Sequence, residues 1–460
     1  MEGEIGVWNG VVFFIFAKTF LRMYIKEIEL TNIRSIRNLK IKFPKPAGWH
    51  VLLGDNGAGK SSIIRAISAA LIGPSEILRL DPDFSTWVSN GQQQASINLL
   101  LERDKIFDKR SGQGGARGGV TNIVDIRCNT VIKQEDGNGQ AWKFKDVLPR
   151  RGANHPDFYN WGSGAGWFSA AFGPYRRFTG GDQAMETFYV RNPKIGAHLT
   201  AFKENVALAE SVIWLKDLQF RSLSKSKSDE AIVLEGIIHF TNQENLLPQG
   251  FQLKEITPDG PLFSSPGGSI VHLYELSEGI KSVTSLAFEL MRLLLRVYSP
   301  TEIFKHFLDK DPHNDFVPVP GVVLIDEIDV HLHPIWQARI GAWFTQCFPK
   351  IQFIVTTHSP IVCRAAQHGS VWRLPDPGSD FPVQQITGAT LQKLLYGDIL
   401  DAFGTGIFGE TTARDAEGHS KLKRLAELNI KFFRDEANLA ERKEREELLS
   451  IFPTYDTTFT

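Results

Sequence analysis

Gly54-Asp55-Asn56-Gly57-Ala58-Gly59-Lys60-Ser61 is the stretch from which the rest of the chain is read. Its glycines leave room for backbone N–H groups to converge on one point, and a lysine followed by a serine closes the loop. Converging N–H groups at a helix start bind phosphate, a lysine there neutralises the outer oxygens, and a serine offers its hydroxyl to Mg²⁺. The flanks fit. His50 to Leu53 is an apolar run of strand type, and Ile63, Ile64, Ile67 and Leu71 recur at helical spacing until Gly73 and Pro74 stop them. Strand, glycine loop and helix in succession make a phosphate loop. The expected nucleotide contacts are Gly54, Asn56, Gly57, Gly59, Lys60, Ser61 and Ser62, with Ser61 also on the metal.

Further along, Val322-Val323-Leu324-Ile325-Asp326-Glu327 places two acids after four apolar residues. Carboxylates at the C-terminal end of a buried strand lie beside the crevice where α/β sheets bind ligands. Asp326 is expected to hold the metal and Glu327 to polarise an attacking water. The remaining elements follow α/β logic: a helix from Glu278 to about Tyr298, a helix opened by Pro334, and a strand Ile351 to Thr356. Continuous apolar runs of this kind fit a parallel sheet buried on both faces. Upstream, the alternation from Tyr24 to Phe43 predicts two paired half-buried strands.

With 460 residues, 42% of them hydrophobic, the chain can bury a large core, and its length suggests roughly two to three structural units. Lysine and arginine total 51 against 52 acids, so the net charge of -1 gives no long-range attraction to nucleic acid or membrane, and any DNA contact is local. Three cysteines without metal-ligand spacing suit a reducing, cytoplasmic compartment. The apolar run Val11 to Ala17 is too short for a membrane span, which takes about 20 residues. Residues 1–22 read as a non-structural extension ahead of Met23, and 23–75 as the first lobe, which carries the phosphate loop. Residues 76–270 read as an inserted region, mixing strand-like Ala95 to Leu101 and Ala231 to Phe240 with the glycine-rich Ser111 to Gly119. It lacks sustained heptads, so no long coiled coil is expected. Residues 271–374 carry the second half of the core. Residues 375–460 form a helical C-terminal region, entered by a linker at Pro375 to Asp380 and ending in a charged stretch, Leu422 to Phe452, that either docks on a partner or caps the sheet, capping being the favoured reading. Ten aromatic residues between Trp142 and Phe178, interleaved with Arg150, Arg151, Arg176 and Arg177, could stack bases but read better as a subdomain core.

Taken in order, the phosphate loop, Leu276-Ser277-Glu278-Gly279, the acidic strand and Thr356-Thr357-His358-Ser359-Pro360 resemble the motifs of the ABC, RecF and SMC group of ATPases. The resemblance implies an α/β fold: an ABC-type P-loop head with a mixed or parallel sheet, an inserted α+β region and a helical tail. Residues 276–279 resemble the signature LSGG with a glutamate in place of its first glycine. In that group the serine and glycine, here Ser277 and Gly279, face the γ-phosphate held by the opposite subunit. Asp329 falls in the D-loop, and His358 corresponds to the switch histidine that donates to a γ-phosphate oxygen. Asn32-Ile33-Arg34-Ser35 resembles the Asn-aromatic-Arg-Ser turn of Rad50-like heads, which brings Asn32 and Arg34 to the nucleotide. His331 and His333 are explained as loop and helix-start residues rather than metal ligands. No Q-loop glutamine is assigned, because Gln92 to Gln94 precede a strand and the loop after Trp167 to Phe172 reads Gly173-Pro174-Tyr175-Arg176-Arg177.

Within that group, the run Ile325 to Gln337 and the helix opening Leu276 to Ser282 are similar to the compact RecF/OLD-like ATPases of prokaryotic mobile defence systems, above all the Septu PtuA family with its retron-associated versions. That implies ATP and Mg²⁺ as cofactors, assembly with copies of itself as a head-to-tail dimer or higher oligomer, and control of a separate HNH nuclease of PtuB type during phage infection. Asp376 and Asp380 do not supply the Asp-x-Asp pair of an OLD-type Toprim nuclease, so killing activity is expected in another chain. The alternative is a RecF-like repair ATPase that binds DNA.

Overall fold

The computed structural model describes residues 5–8, 11–14, 24–80, 82–102, 125–134, 142–147, 156, 161, 168–175, 192–204, 206, 209–223, 229–243, 246–248, 250–309, 315–377, 381–397 and 416–451. The chain divides into two compact units, residues 1–391 and 392–460. The glycine-rich Ser111 to Gly119, Arg150, Arg151, Arg176, Arg177 and Asp380 lie outside the described residues. In the expected N-terminal extension, β1 (Ile5–Trp8) and β2 (Val11–Phe14) pair antiparallel with each other and join neither larger sheet.

The central sheet contains β5 (Gly48–Leu53), β9 (Ser169–Phe172), β13 (Gly321–Ile325), β14 (Ile351–Thr357), β15 (Ser370–Arg373) and β16 (Gln384–Ile386), ordered β16-β15-β5-β14-β13-β9. Every neighbouring pair is parallel except β15 with β16. Strands β5, β13 and β14 are buried along their whole length, the pattern of a sheet covered on both faces. Register sets Leu53 opposite Thr357, and Ile325 opposite both Val355 and Phe172. The C-terminal ends of four strands therefore lie along one edge. Helix α1 (Lys60–Ile72) follows β5.

A second, antiparallel sheet runs β4-β3-β6-β7-β8, from β3 (Tyr24–Ile33), β4 (Ile36–Lys42), β6 (Gln94–Glu102), β7 (Asp125–Gln134) and β8 (Trp142–Asp146). In β4, Ile36, Leu39 and Ile41 are buried and the residues between them exposed, as alternation predicts. The stretch 76–270 thus supplies β6 to β8 here and β9 to the central sheet. Buried Gln352 joins the sheets: its side chain accepts from Ile25 N–H at 2.7 Å and donates to Ile25 C=O at 2.9 Å. A third sheet comprises β10 (Gln252–Thr257), β11 (Gly260–Ser264) and β12 (Ile270–His272).

One element departs from the sequence reading. Ala231 to Phe240, read as strand-like for its isoleucines and valine, lies inside helix α3 (Asp229–Thr241), which follows α2 (Ala209–Ser222). Val233, Gly236, Ile237, Phe240 and Thr241 are its buried positions, a helical spacing that the β-branched composition masks. Gly236 lies against the Phe304 ring, where an added Cβ would come within 2.3 Å. Packing overrides propensity here.

Helices α4 (Glu278–Leu294) and α5 (Pro334–Cys347) complete the core. Against α5, Trp49, Phe344 and Phe353 form a buried ring cluster, with centroids 6.0 Å apart for Trp49–Phe344 and 5.1 Å for Phe344–Phe353. The second unit is a helical hairpin of α6 (Ala416–Phe433) and α7 (Leu439–Ile451). Among the described residues no helix is long and apolar enough to cross a membrane.

Candidate functional site

The glycine loop leaves β5 at the strand-end edge and enters α1 through Gly59, at φ 91°, with Gly57 at φ 84°. Both angles lie in the left-handed region that glycine occupies without steric cost. Gly59 is also hemmed in: an added Cβ would come within 2.9 Å of Ile36 and 3.2 Å of the Ser35 hydroxyl. The β3–β4 turn therefore rests on the loop. Asn56 and Gly57 are exposed, Ser61 and Ser62 are half-buried in the first turn of α1, and Lys60 is buried. The Lys60 ammonium donates to the carbonyls of Gly54 at 2.8 Å and Asp55 at 3.0 Å. Burial pulls its pKa below the usual lysine range, opposed by the carboxylates of Glu327, Asp326 and Asp329. Loop cation and acidic strand end thus meet in space.

The acids are held by β14. Asp326 is buried, and its Oδ1 accepts from the Thr356 hydroxyl at 2.6 Å. The same hydroxyl accepts the Glu327 N–H at 2.8 Å, and Thr356 C=O accepts the Ile328 N–H at 3.1 Å. Glu327 sits at φ 46°, where non-glycine residues are uncommon. Next along, the Thr357 hydroxyl donates to Asp329 Oδ1 at 2.6 Å and accepts the Ser359 N–H at 2.9 Å. His358, half-buried, follows directly at the strand end. A buried carboxylate at a strand end, with the Ser61 hydroxyl in the first turn of α1, offers oxygens of the type Mg²⁺ takes, its remaining positions being filled by phosphate and water. Among the described residues no group of three His, Cys, Asp or Glu side chains could hold a metal ion.

Ser277 is exposed and precedes α4, while Gly279 is buried. A Cβ at Gly279 would come within 2.9 Å of the Trp336 ring and 3.1 Å of the His331 carbonyl, so this glycine has a packing role within its own chain. Glu278, the departure from LSGG, pairs with Lys281 at 3.0 Å, which offsets the charge it adds. His333 caps α5, its Nδ1 accepting from Ile335 N–H at 3.4 Å, a helix-start role as read from sequence. The structure brings Arg34 and Asn32 to the same turn but uses their side chains elsewhere. Asn32 donates to Gln94 C=O at 3.2 Å and Gln92 Oε1 at 3.4 Å. Arg34 donates to Thr86 C=O at 3.3 Å, with its guanidinium 6.0 Å from the Trp87 ring centre. Burial and neighbouring Arg65 lower its pKa.

Two features escaped the sequence. In the sequence Thr356 and Thr357 only lead into His358, and it is the pairing of β14 with β13 that sets their hydroxyls against the acids. Pro375 and Asp376, read as linker, line a cleft of about 390 Å³ with Ser35, Arg37, Gly57 and Ala58. Pro377 lies over Gly57, 3.3 Å from where a Cβ would stand.

Two family models match: "AAA domain" over residues 27–146, and "AAA domain, putative AbiEii toxin, Type IV TA system" over residues 215–364. The "Retron Vc95 probable ATPase" of Vibrio cholerae serotype O1 biovar El Tor is 38% identical over 382 residues, covering 74% of this chain and 71% of that protein. The chain belongs to this ATPase family. The same family takes in the "Septu protein PtuA" of Bacillus mycoides, 26% identical over 357 residues, which cover 76% of this chain but only 40% of that protein. A shorter match joins it to the "DNA replication and repair protein RecF" of Clostridium novyi, 31% identical over 108 residues, 23% of this chain and 28% of that protein. The two AAA models and the retron relative make the chain an AAA-type, nucleotide-binding ATPase.

Proposed function

We propose that this chain is the ATP-hydrolysing subunit of a prokaryotic anti-phage defence system, acting in the cytoplasm as an oligomer that controls a partner HNH nuclease. One observation carries the enzymatic part: the parallel register of β5, β14 and β13 puts the glycine loop with buried Lys60 and the acidic turn of Asp326, Glu327 and Asp329 on one strand-end edge. In this reading the loop N–H groups and Lys60 bind and orient the phosphates, and α1 presents its positive N-terminal end to them. Ser61 and Asp326 would hold Mg²⁺, which supplies charge neutralisation at the phosphates when bound. Glu327 polarises and orients the attacking water, and His358 donates to the outermost phosphate. Ser277, with the N-terminus of α4, faces the nucleotide of a neighbouring copy, so that two copies share each site. Arg34 and Asn32 reach the nucleotide only by exchanging their present partners.

Lys60→Ala is expected to abolish nucleotide binding, and Glu327→Gln to keep binding while stopping turnover; unchanged hydrolysis in Glu327→Gln would defeat the assignment. Mixing Ser277→Ala chains with Lys60→Ala chains tests the shared site, because independent, additive activities contradict it. Co-purification from the native operon followed by mass measurement tests the partner. The RecF match favours a second reading, a DNA-repair ATPase. Tight DNA binding by the isolated chain with a steep loss of affinity as salt rises would support it, since neutralised phosphates release counterions.

A further inference from the structure

We propose that Thr356 and Thr357 are positioning residues for hydrolysis, two adjacent hydroxyls at the end of β14 that fix the acidic loop: Thr356 sets Asp326 and Glu327, and Thr357 ties Asp329 to the turn carrying His358. The proposal rests on the ATPase reading of the same site.

Both threonines are fully buried, and a buried hydroxyl must find partners for its proton and its lone pairs. Each spends its proton on a carboxylate, at 2.6 Å in both cases, and a lone pair on a backbone N–H, at 2.8 Å for Thr356 and 2.9 Å for Thr357. A hydrogen bond donated to a carboxylate fixes which way its oxygens point. Asp326 therefore presents the rest of its carboxylate in one orientation.

Glu327 adds a second, independent sign. Its left-handed backbone, φ 46°, is a strained state for a residue with a side chain, and such states persist where surrounding bonds over-determine them. Thr356 supplies those bonds on both sides of the strain: its hydroxyl takes the N–H of Glu327 and its carbonyl takes the N–H of the next residue, Ile328. The side chain expected to orient water is thus aimed by a backbone that Thr356 holds. Thr357 repeats the arrangement one residue later, so that movement of the His358 turn is transmitted to Asp329.

Valine keeps the shape and β-branch of threonine and lacks the hydroxyl, whereas serine keeps the hydroxyl. In the full-length chain, Thr356→Val is expected to lower kcat by roughly 10–100-fold, the range for lost outer-sphere hydrogen bonds. KM and the affinity for a fluorescent ATP analogue stay within about threefold, since the phosphate-binding loop is untouched. Thr356→Ser is expected to restore turnover. In the nucleotide-free chain, amide exchange over residues 326–330 rises in Thr356→Val and not in Thr356→Ser. Thr357→Val is expected to raise exchange around Ser359 and lower kcat less. Wild-type kcat in Thr356→Val, or equal impairment in Thr356→Ser, overturns the proposal, as does unchanged amide exchange in Thr356→Val. Hydrolysis that persists in Lys60→Ala, or is missing from the wild type, defeats the ATPase reading instead; the exchange measurement, which needs no nucleotide, still decides whether the hydroxyls hold the loop.

Discussion

The central sheet and the C-terminal hairpin reach stability by opposite routes. In the first, β5, β13 and β14 are buried along their length and a ring cluster of Trp49, Phe344 and Phe353 packs beneath α5. In the second, three leucines, Leu425, Leu428 and Leu448, form the buried core of a two-helix hairpin, with Leu422 and Leu449 partly buried beside them. Charge supplements that small core: Arg424 meets Glu444 with two bonds of 2.9 Å, Lys431 meets Glu441 at 2.5 Å, and the Arg445 guanidinium lies 4.2 Å from the Phe432 ring centre. A sheet that must hold carboxylates in fixed positions gains rigidity from close packing. The hairpin, with few buried apolar contacts, belongs to the low-stability end of the molecule.

The largest test of this contrast is Phe353→Ala. Truncating a fully buried ring costs about 3–5 kcal/mol, and denaturant titration should show the loss in the main unfolding transition, together with weakened nucleotide binding. Leu428→Ala removes a comparable apolar group from the small core, where about 2–3 kcal/mol exceeds what two helices with so little packing hold in reserve. Amide exchange over residues 416–451 should then approach that of an unfolded chain while the main transition keeps its midpoint. A coincident drop of both would show that the two units unfold together.

The same contrast explains what could be read from sequence. Continuous apolar strands, the glycine loop and the Pro334 helix start were legible because each has one physical solution. Where packing partners decide, reading failed: Ala231 to Phe240 becomes a helix through contacts such as Gly236 against Phe304, which composition does not reveal. In the site, the acids and Lys60 were legible by spacing, and the structure brings them together. Thr356 and Thr357 were not singled out, because their importance lies in what β13 places opposite them. Gly279, read only as a phosphate-facing residue, also has an intrachain reason, its fit against Trp336.

Acid separates the regions next. His50 is buried in the central sheet and bonded to Ser370 at 2.8 Å and Pro46 C=O at 2.7 Å, and desolvation pulls its pKa from 6.5 to about 4. His198, likewise buried, is pulled to about 3. The unfolded chain takes up protons near pH 6.5 that these imidazoles refuse, so their contribution is full above that pH and is lost as pH falls from 6.5 towards 4. In the hairpin, Glu441 and Glu444 lie below the usual 4.5, held there by Lys431 and Arg424, so their contribution survives until pH drops below 4.5. Between pH 6.5 and 4.5 the main transition should therefore weaken, by roughly 2–3 kcal/mol at most for His50, while exchange protection in 416–451 holds. His50→Gln should flatten the main unit's response.

Salt gives the smallest effect and runs the other way. Ion pairs exposed to solvent are screened within about 10 Å at 0.1 M salt and more strongly above it, whereas burial of apolar surface is not weakened by screening. Raising sodium chloride from about 0.05 M to about 0.5 M should thus speed amide exchange in 416–451 modestly and leave β5, β13 and β14 unchanged. Arg424→Gln should reduce that salt dependence, because its guanidinium supplies both bonds to Glu444 and a further contact to Glu427 at 3.6 Å. If neither added salt nor the substitution changes exchange in the hairpin, its ion pairs contribute nothing measurable and the three leucines alone hold the helices together. In that case Leu428→Ala and Arg424→Gln would differ in kind as well as in size, the first opening the hairpin and the second leaving its exchange untouched.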